Sequence, residues 1–552
     1  MNLITGDLAF IPLGGTGEIG LNLNVYRCDG KLLAIDCGIG FGGNDNPEAE
    51  VMVPDPAWLA QRSDQLLGLV ITHAHEDHLG AVAHLWPQLR CPVYAGPFAA
   101  SVLRRKLGEA NLAHKVPLHT IPLGGQFQLG PYDMTFLRVT HSVPEAQSLA
   151  IRTPYGTIVH TGDWKLDADP LIGEPTDVEA FARLGREGVL AMVCDSTNAL
   201  VEGHSGSEAD VRRNMAALVR QLKGRIAVTC FATNVARVES IAMAAEAAGR
   251  RVALFGRSLR NAEASARECG YLKGVGPFIS EDEADDLPDD QLLIICTGSQ
   301  GEQRSAMSKI AADVHPRISL GEGDTVIFSS RMIPGNERAV LRMQDELTRG
   351  GCRVMTADDH MVHVSGHPAR DELKKLYALV KPRYAVPVHG EWRHLQEHAS
   401  LAREMGSTPI LVEDGDVLRF APLSGNEAPD VVEGVPVGRL AIDGDRLLPL
   451  DGGVLGARRK MLFNGVVVAS LAVDQSGRVI GMPQVSAPGL FEMTDLEPGQ
   501  IAADLARSVT ELPANLKRED DGLREAARAA LRKAVSRRLR KRPTVEVHLL
   551  RV

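Results

Sequence analysis

No run of this 552-residue chain approaches the roughly 18–20 consecutive apolar residues that cross a bilayer, which argues against a membrane-spanning helix. CxxC pairs are missing too. The eight cysteines (Cys28, Cys37, Cys91, Cys194, Cys230, Cys269, Cys296 and Cys352) are scattered, most of them in apolar strand-like runs such as VLAMVCD and LLIICTG. A buried thiol is the ordinary fate of such a residue, so the pattern argues against a disulfide framework and for a reducing cytoplasm. The opening MNLITGDLAFIPLGG lacks the basic region and cleavage pattern of a secretory signal. Internal repeats and long low-complexity tracts are also missing. A positive charge excess is lacking as well: the net charge is −10 and the pI near 6.0. That balance does not announce a nucleic-acid partner, but it does not exclude one, because such a site needs only local positive potential.

What is present is a chain with 44% hydrophobic and 24% charged residues, enough for real cores in a soluble protein of roughly three or four domains. One basic run stands out. Arg524 to Arg542 carries nine Lys or Arg and one Glu in a helical pattern, with Leu523, Ala527, Ala530, Leu531, Ala534 and Leu539 on its apolar side. The solvated face of an ordinary helix explains it as well as a nucleic-acid contact does.

The densest chemistry lies in His73-Ala74-His75-Glu76-Asp77-His78, which follows the buried-strand run LLGLVIT. In an extended segment His73 and His75 point the same way, while Asp77 and His78 lie past the bend and can face a second ion. Imidazole and carboxylate ligands suit zinc or manganese. His141, Asp163 and His389 follow at the ends of later strands (TFLRVT, GTIVHT and YAVPV), where a metal-rich turn would collect them. Gly15, Gly17 and Gly20 satisfy the dinucleotide pattern GxGxxG, but that pattern requires a helix next. LNLNVY alternates with period two and reads as a strand, so the Rossmann reading fails and a Gly-rich turn beside a site remains.

Strands alternate with turns up to about residue 200, with short helices near 55–61, 78–86 and 97–107. Helix–strand repeats then run from about 207 to 358, as in a parallel α/β unit. The first pattern returns near 361–420. This predicts a first domain in two pieces, 1–206 and 359–421, an insertion at 207–358, a Gly/Pro/Asp-rich linker with short strands at 422–450 and a small α+β domain at 451–552.

The ordered set HxHxDH, His141, Asp163 and His389 resembles the metallo-β-lactamase superfamily. DSTN at 195–198, the α/β insertion and HVSGH at 363–367 followed by PVHGE resemble its nucleic-acid-processing β-CASP branch. GGTGEIG, HVSGHP and KPRYAVPVHGEWRHL resemble the bacterial ribonuclease J family. The resemblance implies an α/β fold: an αββα sandwich of the metallo-β-lactamase type, an inserted β-CASP domain and the C-terminal α+β domain. It implies two divalent ions, zinc or manganese, one on His73, His75 and His141, the other on Asp77, His78 and His389, with Asp163 bridging. Paired ions of this kind activate water for in-line attack on phosphorus.

Asp77, Asp195 and His367 would be the catalytic residues, with Asp195 orienting a ligand imidazole and His367 protonating the departing 3′ oxygen or binding phosphate. Asp36 reads as a partner behind the ligands, and Glu76 as an outer group or a solvated one. Phosphate and base would meet Phe231, Ala232, Thr233 and Asn234, between a strand and a helix, and the donor-rich loop His363, Val364, Ser365, Gly366 and His367. A plain N-cap for Thr233 or Asn234 and a core role for His363 stand beside that reading. Arg257-Ser258 and Arg331-Met332 occupy similar strand-to-helix positions. The remaining histidines, His160 included, read as structural or surface residues.

The implied activity is 5′→3′ exonuclease action on 5′-monophosphorylated single-stranded RNA with some endonuclease activity, in rRNA processing and mRNA decay. A homo-oligomer through the C-terminal domain and partners in RNA degradation or on the ribosome are family expectations. DNA repair or purely internal cleavage is the alternative within the superfamily. A lactonase or thioesterase has no need of the insertion or of the second histidine pair.

Overall fold

The computed structural model describes residues 6–42, 46–333, 335–422, 428–492, 495 and 497–552. The chain divides into two compact units, one of 1–45 and 51–439, the other of 46–50 and 440–552. Residues 423–427 of the expected linker lie outside the described residues. Around them, Asp430–Gly434 pairs with Asp416–Ala421 at the edge of the first sheet, so this part of the segment is a short strand of that sheet.

Among the described residues of the larger unit, two mixed sheets share one core. The eight-stranded sheet runs in the order Asp430–Gly434, Asp416–Ala421, Leu8–Gly14, Leu23–Cys28, Lys31–Ile35, Leu66–Ile71, Val93–Ala95, Leu118–Thr120. The seven-stranded sheet runs Thr408–Pro409, Tyr384–Val388, Ala191–Asp195, Gly156–His160, Gln147–Thr153, Tyr132–Arg138, Gln126–Leu129. Phe10, Tyr26, Ile35 and Val70 from the first meet Met134, Phe136, Leu149, Val193 and Val386 from the second. Pro97–Glu109 packs on the first sheet and Trp392–Glu404 on the second, giving the expected layered sandwich.

The insertion is a parallel five-stranded sheet in the order Arg251–Phe255, Leu292–Cys296, Ile226–Thr229, Thr325–Phe328, Arg353–Met355. Its strands are apolar on both faces. Val228, Leu254 and Ile295 enter one core and Ala227, Phe255, Ile294 and Phe328 the other, as parallel strands covered on both sides require. Helices Glu208–Val219 and Val235–Ala247 cover one face, and Ala306–Ala311 and Glu337–Arg349 the other.

In the smaller unit a three-stranded sheet, Gln484–Ser486, Val466–Val473 and Thr544–Arg551, packs on helices Glu497–Thr510 and Asp520–Leu539. The basic run occupies all but the first turn of the latter helix and continues past its end, with Leu523, Ala527, Leu531 and Ala534 buried as the pattern predicts.

Candidate metal centre

Strand Leu66–Ile71 runs into Thr72, and the backbone turns into a single helical turn at Glu76–Leu79. The turn is clasped by the loop after strand Lys31–Ile35: Cys37 N–H donates to the His78 carbonyl at 2.7 Å and Ile39 N–H to the Glu76 carbonyl at 3.0 Å. Gly38 stands so close that a Cβ there would lie 1.6 Å from the Asp77 carbonyl oxygen. The GxGxxG segment is a turn between strands, as its alternation predicts. Gly15 has φ +92°, and its carbonyl accepts from His389 N–H at 2.7 Å.

All seven residues singled out by motif order converge. Ligating atoms of His73, His75, His141 and Asp163 lie within 4.8 Å of one another, and so do those of Asp77, His78, Asp163 and His389. His75 Nδ1 stands 3.1 Å from His73 Nε2 and 3.0 Å from His141 Nε2. Asp163 Oδ2 is 3.7 Å from His73 Nε2, 3.6 Å from His141 Nε2 and 3.2 Å from His78 Nε2, so one carboxylate oxygen faces both groups. Four donors about 2.1 Å from one tetrahedral ion stand about 3.4 Å apart, the spacing found here. A nitrogen and oxygen donor set of this kind fits zinc or manganese, and Asp163 Oδ1 is buried with no hydrogen-bond partner.

The outward nitrogens show how four of the five imidazoles are aimed; His75 Nε2 is buried without a hydrogen-bond partner. His73 Nδ1 is 3.0 Å from Thr72 Oγ1, whose hydroxyl donates to Asp36 at 2.8 Å. His78 Nδ1 reaches Asp36 at 2.7 Å, and His141 Nδ1 donates to the Gly366 carbonyl at 2.6 Å. His389 Nδ1 is 3.0 Å from Thr197 Oγ1, with Nε2 turned 3.2 Å from Asp77. Holding one ring nitrogen outside leaves the other as a lone pair inside. Burial keeps His73 and His141 well below the ordinary imidazole range and brings His75 to about 4, so this trio is neutral. Burial also opposes charge on His78 and His389, but the carboxylates outweigh it: His78 is raised well above its ordinary value, and His389 is pushed up to about 10, chiefly by Asp163. That negative potential is what a divalent cation would meet.

Asp195 sits at the end of its strand, expected to orient a ligand imidazole. Its nearer partner is instead His367, whose Nδ1 lies 2.8 Å from Oδ2, while His389 Nδ1 is 3.5 Å from Oδ1. Asp36 stands behind His78 as expected. Glu76 is not at the centre but pairs with Lys106 at 2.7 Å.

The loop His363, Val364, Ser365, Gly366 and His367 wraps against the cluster. Asn198 Nδ2 donates to Ser365 Oγ at 2.8 Å and to the His367 carbonyl at 3.0 Å. Phe231, Ala232 and Thr233 are half-buried. Asn234 is buried and committed: its oxygen caps helix Val235–Ala247 by accepting from Arg237 N–H at 3.0 Å, and its amide donates to Glu208 at 3.3 Å. Arg257, Ser258, Arg331 and Met332 are exposed. His160 and His398 are structural, bonded to Tyr26 at 3.0 Å and to Ser196 and Tyr377 at 2.8 and 2.9 Å.

The sequence reading missed Thr72, Thr197 and Asn22, whose amide donates to the Asp77 carbonyl at 3.0 Å. Thr197 lies inside DSTN and was within reach. Asn22 lies just before strand Leu23–Cys28 and carried no signal.

Family models match four stretches of the chain. A beta-lactamase superfamily domain matches residues 33–229, a ribonuclease J beta-CASP domain 223–347, a Zn-dependent metallo-hydrolase RNA specificity domain 353–412 and a ribonuclease J C-terminal domain 453–552. The chain is 41% identical to ribonuclease J of Sinorhizobium meliloti over 99% of its length and 98% of that protein. It is 38% identical to ribonuclease J of Mycolicibacterium smegmatis, over 98% of this chain and 97% of that one. A solved structure of a protein of unknown function from Enterococcus faecalis V583 shares the fold, with TM-score 0.51 and 16% identity, covering 75% of this chain and 100% of that one. With likeness of this extent over all its parts, the chain belongs to the ribonuclease J family.

Proposed function

We propose that this metal-dependent ribonuclease removes nucleotides 5′→3′ from 5′-monophosphorylated single-stranded RNA and also cuts RNA internally, in cytoplasmic rRNA processing and mRNA decay. One observation carries the reading: the HVSGH loop is bonded directly to the ligand cluster, through His141 to the Gly366 carbonyl at 2.6 Å and through Asp195 to His367 at 2.8 Å. A terminal phosphate held on that loop is thereby kept at a set distance from the reacting phosphorus, which is what end-directed removal needs.

Two divalent ions, zinc or manganese, on His73, His75, His141, Asp77, His78, His389 and the shared Asp163 would supply activated water and charge stabilisation. The chain's own residues do the rest. Asp195 accepts from Nδ1 of His367 and favours its protonated form, leaving Nε2–H to protonate the departing 3′ oxygen. Ser365 offers a hydroxyl beside it, and half-buried Phe231 offers a face on which a base stacks. Strand Thr544–Arg551, at the edge of its sheet, is a natural pairing surface for a homo-oligomer through the C-terminal unit. Partners in RNA degradation or on the ribosome belong to the same reading.

The test is a time course on one internally labelled single-stranded RNA carrying a 5′ monophosphate or a 5′ hydroxyl, with His75→Ala alongside. Metal-dependent release of mononucleotides, faster from the monophosphate and lost in the variant, is expected. Internal fragments indifferent to the 5′ group would overturn the exonuclease reading.

A further inference from the structure

Arg237 is the most completely enclosed charge in the insertion, with no exposed surface, yet it lies in the first turn of helix Val235–Ala247 directly behind the HVSGH loop. Every one of its contacts is directional. Nε donates to Glu208 at 2.9 Å and Nη2 to the other Glu208 oxygen at 2.7 Å, a bidentate pair. Nη1 donates to the Ser329 carbonyl at 2.9 Å, to Ser329 Oγ at 2.8 Å and to the Val362 carbonyl at 3.0 Å, and stands 3.5 Å from His363 Nδ1. Ser329 Oγ donates to the same Val362 carbonyl at 2.6 Å. Val362 is the residue before the loop.

On the far side of Glu208 the network runs to the metal centre. Glu208 N–H donates to Asp167 at 3.1 Å, and Asp167 pairs with the buried Lys165 at 3.1 Å. Lys165 is two residues from Asp163, and it is bonded twice to Thr140, the residue before His141: Lys165 N–H donates to the Thr140 carbonyl at 2.7 Å, and the Thr140 side-chain Oγ1 donates to the Lys165 carbonyl at 2.8 Å. A continuous buried chain, Thr140–Lys165–Asp167–Glu208–Arg237–Val362, thus joins the segments bearing His141 and Asp163 to the start of the loop. The loop's other end is pinned separately, by His141 and Asn198.

We propose that Arg237 is a positioning residue that sets the spacing between the phosphate-accepting loop and the metal centre, and with it the length of product released at each turnover. The inference rests on the exonuclease reading above and adds to it the residue that makes the step one nucleotide long. Only a planar fork with five N–H donors holds Glu208, Ser329 and Val362 together; a lysine keeps the charge but not the fork.

The experiment compares wild type with Arg237→Lys on three RNAs: 5′-monophosphorylated, 5′-hydroxyl and circular, the last open to internal cutting alone. Expected for the variant is a KM at least tenfold higher on the monophosphorylated RNA, dinucleotides and trinucleotides among its products, and cleavage of the circle within threefold of wild type. Should Arg237→Lys not fold, Ser329→Ala carries the same test: it removes one donor from the Val362 carbonyl and one acceptor from Arg237, and the same changes are expected at about threefold. Equal loss on all three RNAs with mononucleotides unchanged would overturn the positioning role. Wild-type enzyme that prefers the monophosphate, beside variants that release only mononucleotides with unchanged KM, would overturn this inference alone. Wild-type enzyme indifferent to the 5′ group would overturn the exonuclease reading and this inference with it.

Discussion

Asp195 Oδ2 accepts from His367 Nδ1 at 2.8 Å, while the same carboxylate's Oδ1 stands 3.5 Å from His389 Nδ1. One buried carboxylate therefore faces both the proposed proton donor and a candidate ligand imidazole. The unequal distances say which role dominates. Asp195→Asn removes the charge that favours protonated His367, so kcat should fall about 10²- to 10⁴-fold while KM stays within threefold. Steady-state kinetics on 5′-monophosphorylated RNA measures both. A kcat within threefold of wild type would remove His367 from the proton-transfer role.

Thr197 makes a separable prediction, because its hydroxyl meets His389 Nδ1 at 3.0 Å and its bonds leave the His389 ring aimed at Asp77. Thr197→Val keeps the shape and loses the hydroxyl. Metal affinity should drop about 10- to 100-fold for one of two ions, the effect typical of a partner behind a ligand. Competition against a chromophoric chelator reads this directly. Wild type should bind two ions per chain by elemental analysis, and removing them should lower the melting temperature, since saturation at 100-fold over Kd contributes about 2.7 kcal/mol.

How much of this was legible in the sequence follows from what local pattern encodes. HxHxDH after an apolar strand announced the centre because spacing within one turn fixes which side chains share a face. His141, Asp163 and His389 could be placed because each follows the end of a strand, in the order after HxHxDH that resembles the metallo-β-lactamase superfamily. The HVSGH loop was named, but its bond from His141 to the Gly366 carbonyl spans 225 residues and left no trace in local order. The same holds for Arg237. Read in the sequence, NVARVES is an ordinary helix start; only the tertiary fold brings Glu208, Ser329 and Val362 to its guanidinium. Asn234, singled out for phosphate, turned out to spend its side chain on the helix cap and Glu208, which sequence alone does not distinguish from a ligand-facing amide.

Gly38 tests how firmly the turn is held. A Cβ there would fall 1.6 Å from the Asp77 carbonyl oxygen, 2.0 Å from its carbon and 2.7 Å from His78 N, all backbone atoms that cannot swing aside. Gly38→Ala should therefore cost about 1–3 kcal/mol or more in urea unfolding and lower metal content at the Asp77/His78 side. Gly17 is the control: its φ is +81° but nothing lies within 4 Å, so Gly17→Ala should cost only about 1–2 kcal/mol of backbone strain and spare the metal. Equal metal loss in both variants would show that the turn is not what Gly38 protects.

Glu208 gives a prediction in pH. Its burial favours the neutral acid, but the Arg237 guanidinium at 2.7 Å outweighs this and holds the carboxyl below its ordinary value of 4.5. A group whose native pKa is depressed stabilises the fold above its unfolded value and loses that contribution as pH falls through the native one. Glu208→Gln leaves a buried guanidinium without its counter-charge, a change that costs about 3–5 kcal/mol at neutral pH. The gap in melting temperature between wild type and Glu208→Gln should then be widest near pH 7, hold down to about the ordinary carboxyl value, and close below it as wild type loses its own ion pair. Calorimetric scans from pH 7.5 to 3.5 provide the comparison. A gap that stays constant over that range would mean that the carboxylate charge is not what anchors Arg237, and that the fork is held by Ser329 and Val362 alone.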